Sequence, residues 1–206
     1  MKLTYKYLLI FAFAILAISN TACSQDTKSD NDAAIAKTEE ATPQTPGLEN
    51  GVFVPYGIAS TGENEPLNFK WDENGTTMEL SNLLKGKITF INFWGTWCPP
   101  CRAEIPHLID LHKQYNDQGF KIIGIALERS GDPVSNVKGY ASKQGINYRN
   151  FPSRDYADAF AKKFGQIQYV PTTFVVGKDG KILETIVGGR DKAAFEQIIK
   201  KYIGTN

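Results

Sequence analysis

Cysteine is scarce in this chain: three occur in 206 residues, at positions 23, 98 and 101, and there are only two histidines. A structural zinc site takes about four nitrogen or sulfur ligands. The third thiol lies far upstream of the other two, and His107 and His112 sit five residues apart in one helical stretch, reading as surface or packing residues. Zinc is therefore disfavoured. Long apolar runs are also lacking. The longest, "YLLIFAFAILAI" from Tyr7 to Ile18, falls short of the roughly 20 residues that cross a bilayer as a helix. Excess charge of one sign is missing too. The formal net charge is +1, and residues 51 to 206 hold no basic run that would track phosphates, so nucleic acid is not an indicated partner. There is no internal repeat. What is present is an ordinary globular share of hydrophobic (42%) and aromatic (12%) residues. Such a chain can bury one sizeable core, and its length suits one domain with appendages.

The apolar run follows Lys2 and Lys6 and precedes "SNTAC", the order of an export signal. A cysteine directly after small residues resembles a bacterial lipobox, which implies lipidation at Cys23, although Asn20 stands where an aliphatic residue is usual. Cleavage after Ser19, or an uncleaved N-terminal anchor, are the alternatives. All three put the folded part outside the cytoplasm, tethered or released. From Ser24 to about Leu48 the chain is polar, charged and proline-terminated, with little to bury, and reads as a disordered tether. The expected organisation is a signal segment over 1–22, a tether over 23–50 and a folded domain over 51–206.

Within that domain, "LNFKWDENGTTMELSNL" alternates apolar positions around Asn74-Gly75, a hairpin signal. "KITFINFW" (Lys87 to Trp94) and "KIIGIAL" (Lys121 to Leu127) read as buried strands. Between them Ile105, Leu108, Ile109, Leu111 and Tyr115 recur at helical spacing, and Gly119 stops the helix. Asp132, Pro133 and Gly145 punctuate a second helix, and Tyr156, Phe160 and Phe164 mark a third. "TTFVVGKDGKILETIV" predicts two antiparallel strands around Lys178-Asp179-Gly180. Asp191 caps a last helix carrying Phe195, Ile198, Ile199 and Tyr202 on one face. The order hairpin, β, α, β, α, α, β, β, α predicts an α/β domain: a mixed central sheet flanked by helices, with an added N-terminal β-hairpin.

Cys98 and Cys101 bracket two prolines where a strand gives way to a helix. An inert disulfide would close a loop of a few residues and restrict the unfolded chain little. Copper(I) carriage by two soft thiolates is another reading, without an obvious further ligand. The third is dithiol–disulfide exchange. At a helix N-terminus the free N–H groups and the dipole favour thiolate. Lowering a thiol pKa from about 8.5 to about 6.5 raises the thiolate fraction at pH 7 from roughly 3% to roughly 75%. Cys101, one turn inward, could then attack a mixed disulfide at Cys98. Pro99 and Pro100 are tolerated in a first turn and remove two N–H donors, which favours a less oxidising couple. Pro106, further along, lacks the N–H that would bond Arg102 and should kink the helix.

"FINFWGTWCPPCRAEIPHL" resembles the active-site segment of thioredoxin-fold proteins, in particular the membrane-tethered TlpA/ResA/DsbE group with its pattern N-F-W-x-x-W-C-x-x-C-x-x-E-x-P. "YVPTTFVV" is similar to the family's loop proline before a strand, and "IVGG" to its glycine loop after the last strand. The resemblance runs from about Leu67 to Ile203. It implies a thioredoxin-like fold, no cofactor, Cys98 as attacking thiol and Cys101 as resolving thiol. It implies Pro171 as a cis-proline, Val170 as a backbone partner for extended substrate, Trp97 beside an exposed sulfur, and Pro99 and Gly188 bordering the groove. Asn92 stands where cytoplasmic thioredoxins carry a buried aspartate, so proton transfer from Cys101 needs another base. Glu128 is the candidate, with a solvated loop carboxylate as its alternative. The implied activity is extracytoplasmic protein thiol–disulfide exchange, in the reducing direction. The implied partners are client cysteine pairs, apocytochrome c among them, and a transmembrane thiol electron donor. A disulfide oxidase or isomerase, or a lipoprotein whose fold only binds partners, are the rivals.

Overall fold

The computed structural model describes residues 51–165 and 167–204. The signal segment, the Cys23 lipidation site and the tether lie outside the described residues. Strand β1 (Tyr56–Ala59) pairs antiparallel with β2 (Asn68–Glu73), and β2 with β3 (Thr76–Glu79). The β2–β3 turn is Asn74-Gly75, with φ of 51° and 77°. Two successive left-handed residues match the twist of a two-residue hairpin. A five-residue helix, α1 (Leu80–Leu84), leads into the second sheet.

That sheet has the order β6-β5-β4-β7-β8. Its centre is β4 (Ile88–Trp94), every residue of which is buried. Helix α2 (Pro99–Tyr115) and a 3-10 turn at Asn116–Gln118 carry the chain to β5 (Phe120–Ala126), parallel to β4. Helix α3 (Pro133–Gln144) precedes β6 (Arg149–Pro152), which is parallel to β5. Helix α4 (Arg154–Phe164) then leads to β7 (Thr172–Val176) and β8 (Ile182–Val187), both antiparallel additions, and α5 (Lys192–Ile203) closes the chain. The domain is thus the mixed, helix-flanked α/β sheet with an N-terminal hairpin that the sequence predicts.

Both faces of β4 are covered, because its alternate side chains enter two cores. Ile88 and Phe90 pack with Leu108 and Leu111 of α2 and Phe195 and Ile199 of α5. Ile91 and Phe93 face Phe69 and Trp71 of the hairpin and Tyr156 and Phe160 of α4. Each such side chain contributes about 1.5–3 kcal/mol by burial. Helix α2 runs unbroken through Pro106, whose exposed ring sits on the solvent side.

Three elements go beyond the sequence expectation: β1, α1 and β6. Strand β6 is four residues long and its burial follows no alternation, so no period announces it. Its outer edge is covered by the leading segment. Phe53 N–H donates to Asn150 O (3.0 Å) and Asn150 N–H to Gly51 O (2.8 Å). Covering an edge in this way removes a template for unwanted pairing. Arg149 of β6 donates to both carboxylate oxygens of Glu73 (2.9 and 3.2 Å), and Trp71 Nε1 donates to the same carboxylate (2.8 Å), fastening hairpin to sheet.

Candidate active site

The carboxyl end of β4 reaches the site through Gly95, Thr96 and Trp97. Cys98 N–H donates to Gly95 O (3.1 Å), closing a tight turn, and Cys98 itself is the N-cap of α2 in extended conformation. Pro99 and Pro100 occupy the first two helical positions, where no N–H is required. Cys101 N–H points back at Cys98 Sγ (3.2 Å). The two cysteines are joined as a disulfide with Cα atoms 5.3 Å apart. Cys101 is fully buried, so a partner can approach this disulfide only through Cys98.

Opposite the disulfide, the Val170–Pro171 peptide bond is cis, and Cys98 Sγ lies 3.5 Å from Val170 O. Gly188, at φ +82°, donates its N–H to Pro171 O (2.8 Å), and Thr172 Oγ1 donates to Tyr169 O (2.8 Å). The structure therefore brings Cys98, Cys101, Val170, Pro171 and Gly188 to one corner of the sheet. Pro99 is exposed on the rim. Trp97 stands beside Cys98 with its indole fixed: Nε1 donates to Leu127 O (2.7 Å), and the Arg129 guanidinium lies 3.3 Å from the ring centroid. Gly95 makes room for that indole, since a Cβ there would sit 2.6 Å from Trp97 Nε1.

One sequence expectation is corrected here. The leading sulfur was to be exposed, yet Cys98 keeps only 2% of its surface accessible. The cause is its bond to a fully buried neighbour and the Val170 carbonyl lying against it. Trp97 and Val170 are half-buried against the same cluster.

Glu128, the base expected from the sequence, lies at the turn before Cys98. Its Oε1 accepts the Thr96 N–H (2.9 Å) and its Oε2 accepts the Thr96 hydroxyl (2.7 Å), so the carboxylate braces the turn before Cys98. The buried carboxyl near the pair is Glu104, one turn beyond Cys101 on α2 and 2% exposed. Asn92 Nδ2 donates to its Oε1 (2.9 Å), and the Arg190 N–H donates to its Oε2 (3.4 Å). Burial raises its pKa from 4.5 to about 7, against the lowering influence of Asn92 and Arg190. A carboxyl poised near neutrality can take and return a proton at physiological pH. Glu104 is the acidic position of the pattern that the sequence carries, but the sequence assigned it no role. The available signal was its place on the inward face of α2, in register with Cys101, Ile105 and Leu108. Among the described residues, no group of three or more His, Cys, Asp or Glu is arranged to hold a metal ion.

A mixed sheet of this order, with a cysteine pair at a helix N-terminus facing a cis-proline, defines a thioredoxin-like dithiol–disulfide protein. Residues 61–199 match the Redoxin family, and the chain belongs to it. It is 35% identical over 156 residues to thiol-disulfide oxidoreductase ResA of Bacillus thuringiensis subsp. konkukian (strain 97-27), covering 75% of this chain and 85% of that protein. It is 34% identical over 146 residues to ResA of Bacillus subtilis (strain 168), covering 68% and 75%. A thiol:disulfide interchange protein of the thioredoxin family from Chlorobium tepidum TLS, known from its crystal structure, superposes with a TM-score of 0.60 at 36% identity. That match covers 71% of this chain and all of the other. The protein is a thiol–disulfide oxidoreductase of the TlpA/ResA/DsbE group.

Proposed function

We propose that this oxidoreductase works outside the cytoplasm as a reductant of protein disulfides, held at a membrane by its N-terminal region. In this reading residues 1–22 direct export, Cys23 carries the lipid, residues 23–50 are the tether and residues 51–206 the working domain. The observation that carries the chemistry is the Cys98–Cys101 disulfide under the Val170–Pro171 loop, with Cys98 Sγ 3.5 Å from Val170 O. Val170 would lend its backbone to an extended client segment, with Trp97, Pro99 and Gly188 bordering the cleft.

The reduced protein starts the cycle. Cys98 thiolate attacks one sulfur of a client disulfide, and the other client sulfur leaves as thiolate. Glu104 then takes the Cys101 thiol proton, and Cys101 thiolate attacks Cys98 Sγ. The mixed bond breaks, the second client thiolate leaves, and the Cys98–Cys101 disulfide remains. Two electrons have passed to the client, so a membrane thiol donor must restore the pair. Cysteine pairs of apocytochrome c are clients of suitable chemistry. The reducing direction is favoured because Pro99 and Pro100 offer no N–H to Cys98 Sγ, leaving Cys101 N–H as its recorded donor. Weaker thiolate stabilisation makes a less oxidising couple.

Cys101→Ser should hold clients on Cys98 as mixed disulfides that mass spectrometry identifies, and recovery of none from the envelope would overturn the client-reducing role. A Cys98–Cys101 reduction potential near about −120 mV, the strong-oxidant end of the scale, would reverse the direction and favour the oxidase reading.

A further inference from the structure

Asn92, in the middle of β4, is fully buried, and both its amide hydrogens are spent: one on Glu104 Oε1 and one on Thr173 Oγ1, each at 2.9 Å. Its own carbonyl oxygen is buried without a hydrogen-bond partner. The two oxygens that it faces share one property. A carboxyl oxygen accepts when ionised and donates when protonated, and a threonine hydroxyl does either. An amide presents two donors at one end and an acceptor with two lone pairs at the other, in almost the same shape. Turning it end for end keeps two hydrogen bonds, provided that Glu104 carries a proton and Thr173 donates its own.

We propose that Asn92 is a reversible positioning residue for Glu104, presenting Nδ2 to the carboxylate and turning to present Oδ1 to the carboxylic acid. This rests on the assignment of the Cys101 proton to Glu104 under the proposed function. When the Cys101 S–H bond breaks and an O–H bond forms on Glu104, that new O–H donates to Asn92 Oδ1, as does the Thr173 hydroxyl. When Glu104 releases the proton to water, the amide turns back. Either state costs one unpaired amide end: as placed here the amide favours the carboxylate, and turned it favours the acid, so the two orientations offset each other across the cycle. A lone aspartate at the same position would repel the Glu104 carboxylate, whereas a fixed donor would trap it. Two other groups face Glu104: Arg190 on the β8–α5 loop, and Tyr148, ahead of β6, whose hydroxyl is held neutral by burial and by the Glu104 charge.

The test is a pH titration by nuclear magnetic resonance of the oxidised wild-type protein, following the Asn92 side-chain N–H signals and the Glu104 carboxyl carbon together. The Asn92 hydrogens should move upfield as Glu104 protonates, with the same midpoint, because they leave both acceptors. In Asn92→Leu the Glu104 acid constant should stay within about fivefold of wild type, since both forms lose equivalent partners. Asn92 signals that stay still through the Glu104 titration would overturn the proposal. So would an acid constant lowered by more than about fivefold in the leucine variant, the mark of a fixed donor. If Asn92→Leu does not fold, the wild-type titration decides alone. Glu104→Gln separates the two assignments. An unchanged pH profile of disulfide exchange in that variant removes Glu104 from the proton path, whatever the amide does.

Discussion

Cys98 and Cys101 differ by little in sequence and by much in circumstance. Cys98 caps α2 and touches the cis-proline loop, while Cys101 lies wholly inside the first core. After reduction, a small alkylating agent at neutral pH should therefore modify Cys98 at least about tenfold faster than Cys101. Peptide mapping after timed quenching reads the ratio, and equal labelling would contradict the assigned order of attack. Glu104 gives a second prediction. Positioned general bases are worth about 10²–10⁴ in rate, so Glu104→Gln should slow release of a preformed mixed disulfide about 10²-fold at pH 7. The deficit should shrink above pH 9, where hydroxide ionises Cys101 unaided. Single-turnover measurements on a labelled client peptide follow both effects. The sequence made the reactive pair plain, because two cysteines three apart with proline between them leave few chemistries open. It did not make the base plain. Glu128 and Glu104 are both acids near strand or helix ends in the linear chain, and the burial that sets them apart is displayed by no local pattern.

At the scale of elements, the turn from β4 into α2 is held from the side by β5. Thr96 binds the Glu128 carboxylate through its N–H and hydroxyl, and Trp97 Nε1 donates to Leu127 O, so two residues just past β5 carry the two residues before Cys98. Glu128→Ala removes one of these links and leaves the other. The expected result is a loss of about 1–3 kcal/mol in stability from the two orphaned Thr96 groups, with exchange slowed severalfold at every pH and the profile unshifted. Chemical denaturation and a pH series of exchange rates check it, and a displaced profile would return proton handling to Glu128. Long or capped elements were legible before the fold was known. β4 shows as a continuous β-branched and aromatic run, and α3 lies between Asp132, whose side chain accepts Val134 N–H, and Gly145 at φ +67°. β6 was illegible because its four residues earn their strand from neighbours, Ile123–Ala126 on one side and the segment around Val52 on the other. Asn92 was read only as the absence of an aspartate. Its two hydrogen bonds cross twelve and eighty-one residues of chain, a closure that no local pattern displays.

Over the whole molecule, two buried titratable groups on α2 act against each other. Burial raises the Glu104 pKa from 4.5 to about 7, so the folded state holds a proton that the unfolded chain has lost. Its contribution to stability is full below about 4.5 and disappears as pH rises through 7. His112, 5% exposed, is pushed down from 6.5 to about 4 by burial and by the positive charge of Lys121. Here the unfolded chain binds the extra proton, so stability is full above 6.5 and is lost as pH falls through 4. Each displacement corresponds to on the order of 3 kcal/mol, and between 4.5 and 6.5 the slopes are opposite. Wild-type oxidised protein should therefore show nearly constant unfolding free energy across that interval. Glu104→Gln should leave the histidine slope alone, with stability climbing by about 3 kcal/mol from pH 4 to 6.5. His112→Gln should leave the glutamate slope, falling by a similar amount from pH 4.5 to 7. The remaining carboxylates, common to all three proteins, cancel in the comparison. Urea unfolding of the three at half-unit pH steps decides the matter, and three parallel curves would show that neither group differs between the folded and unfolded chain.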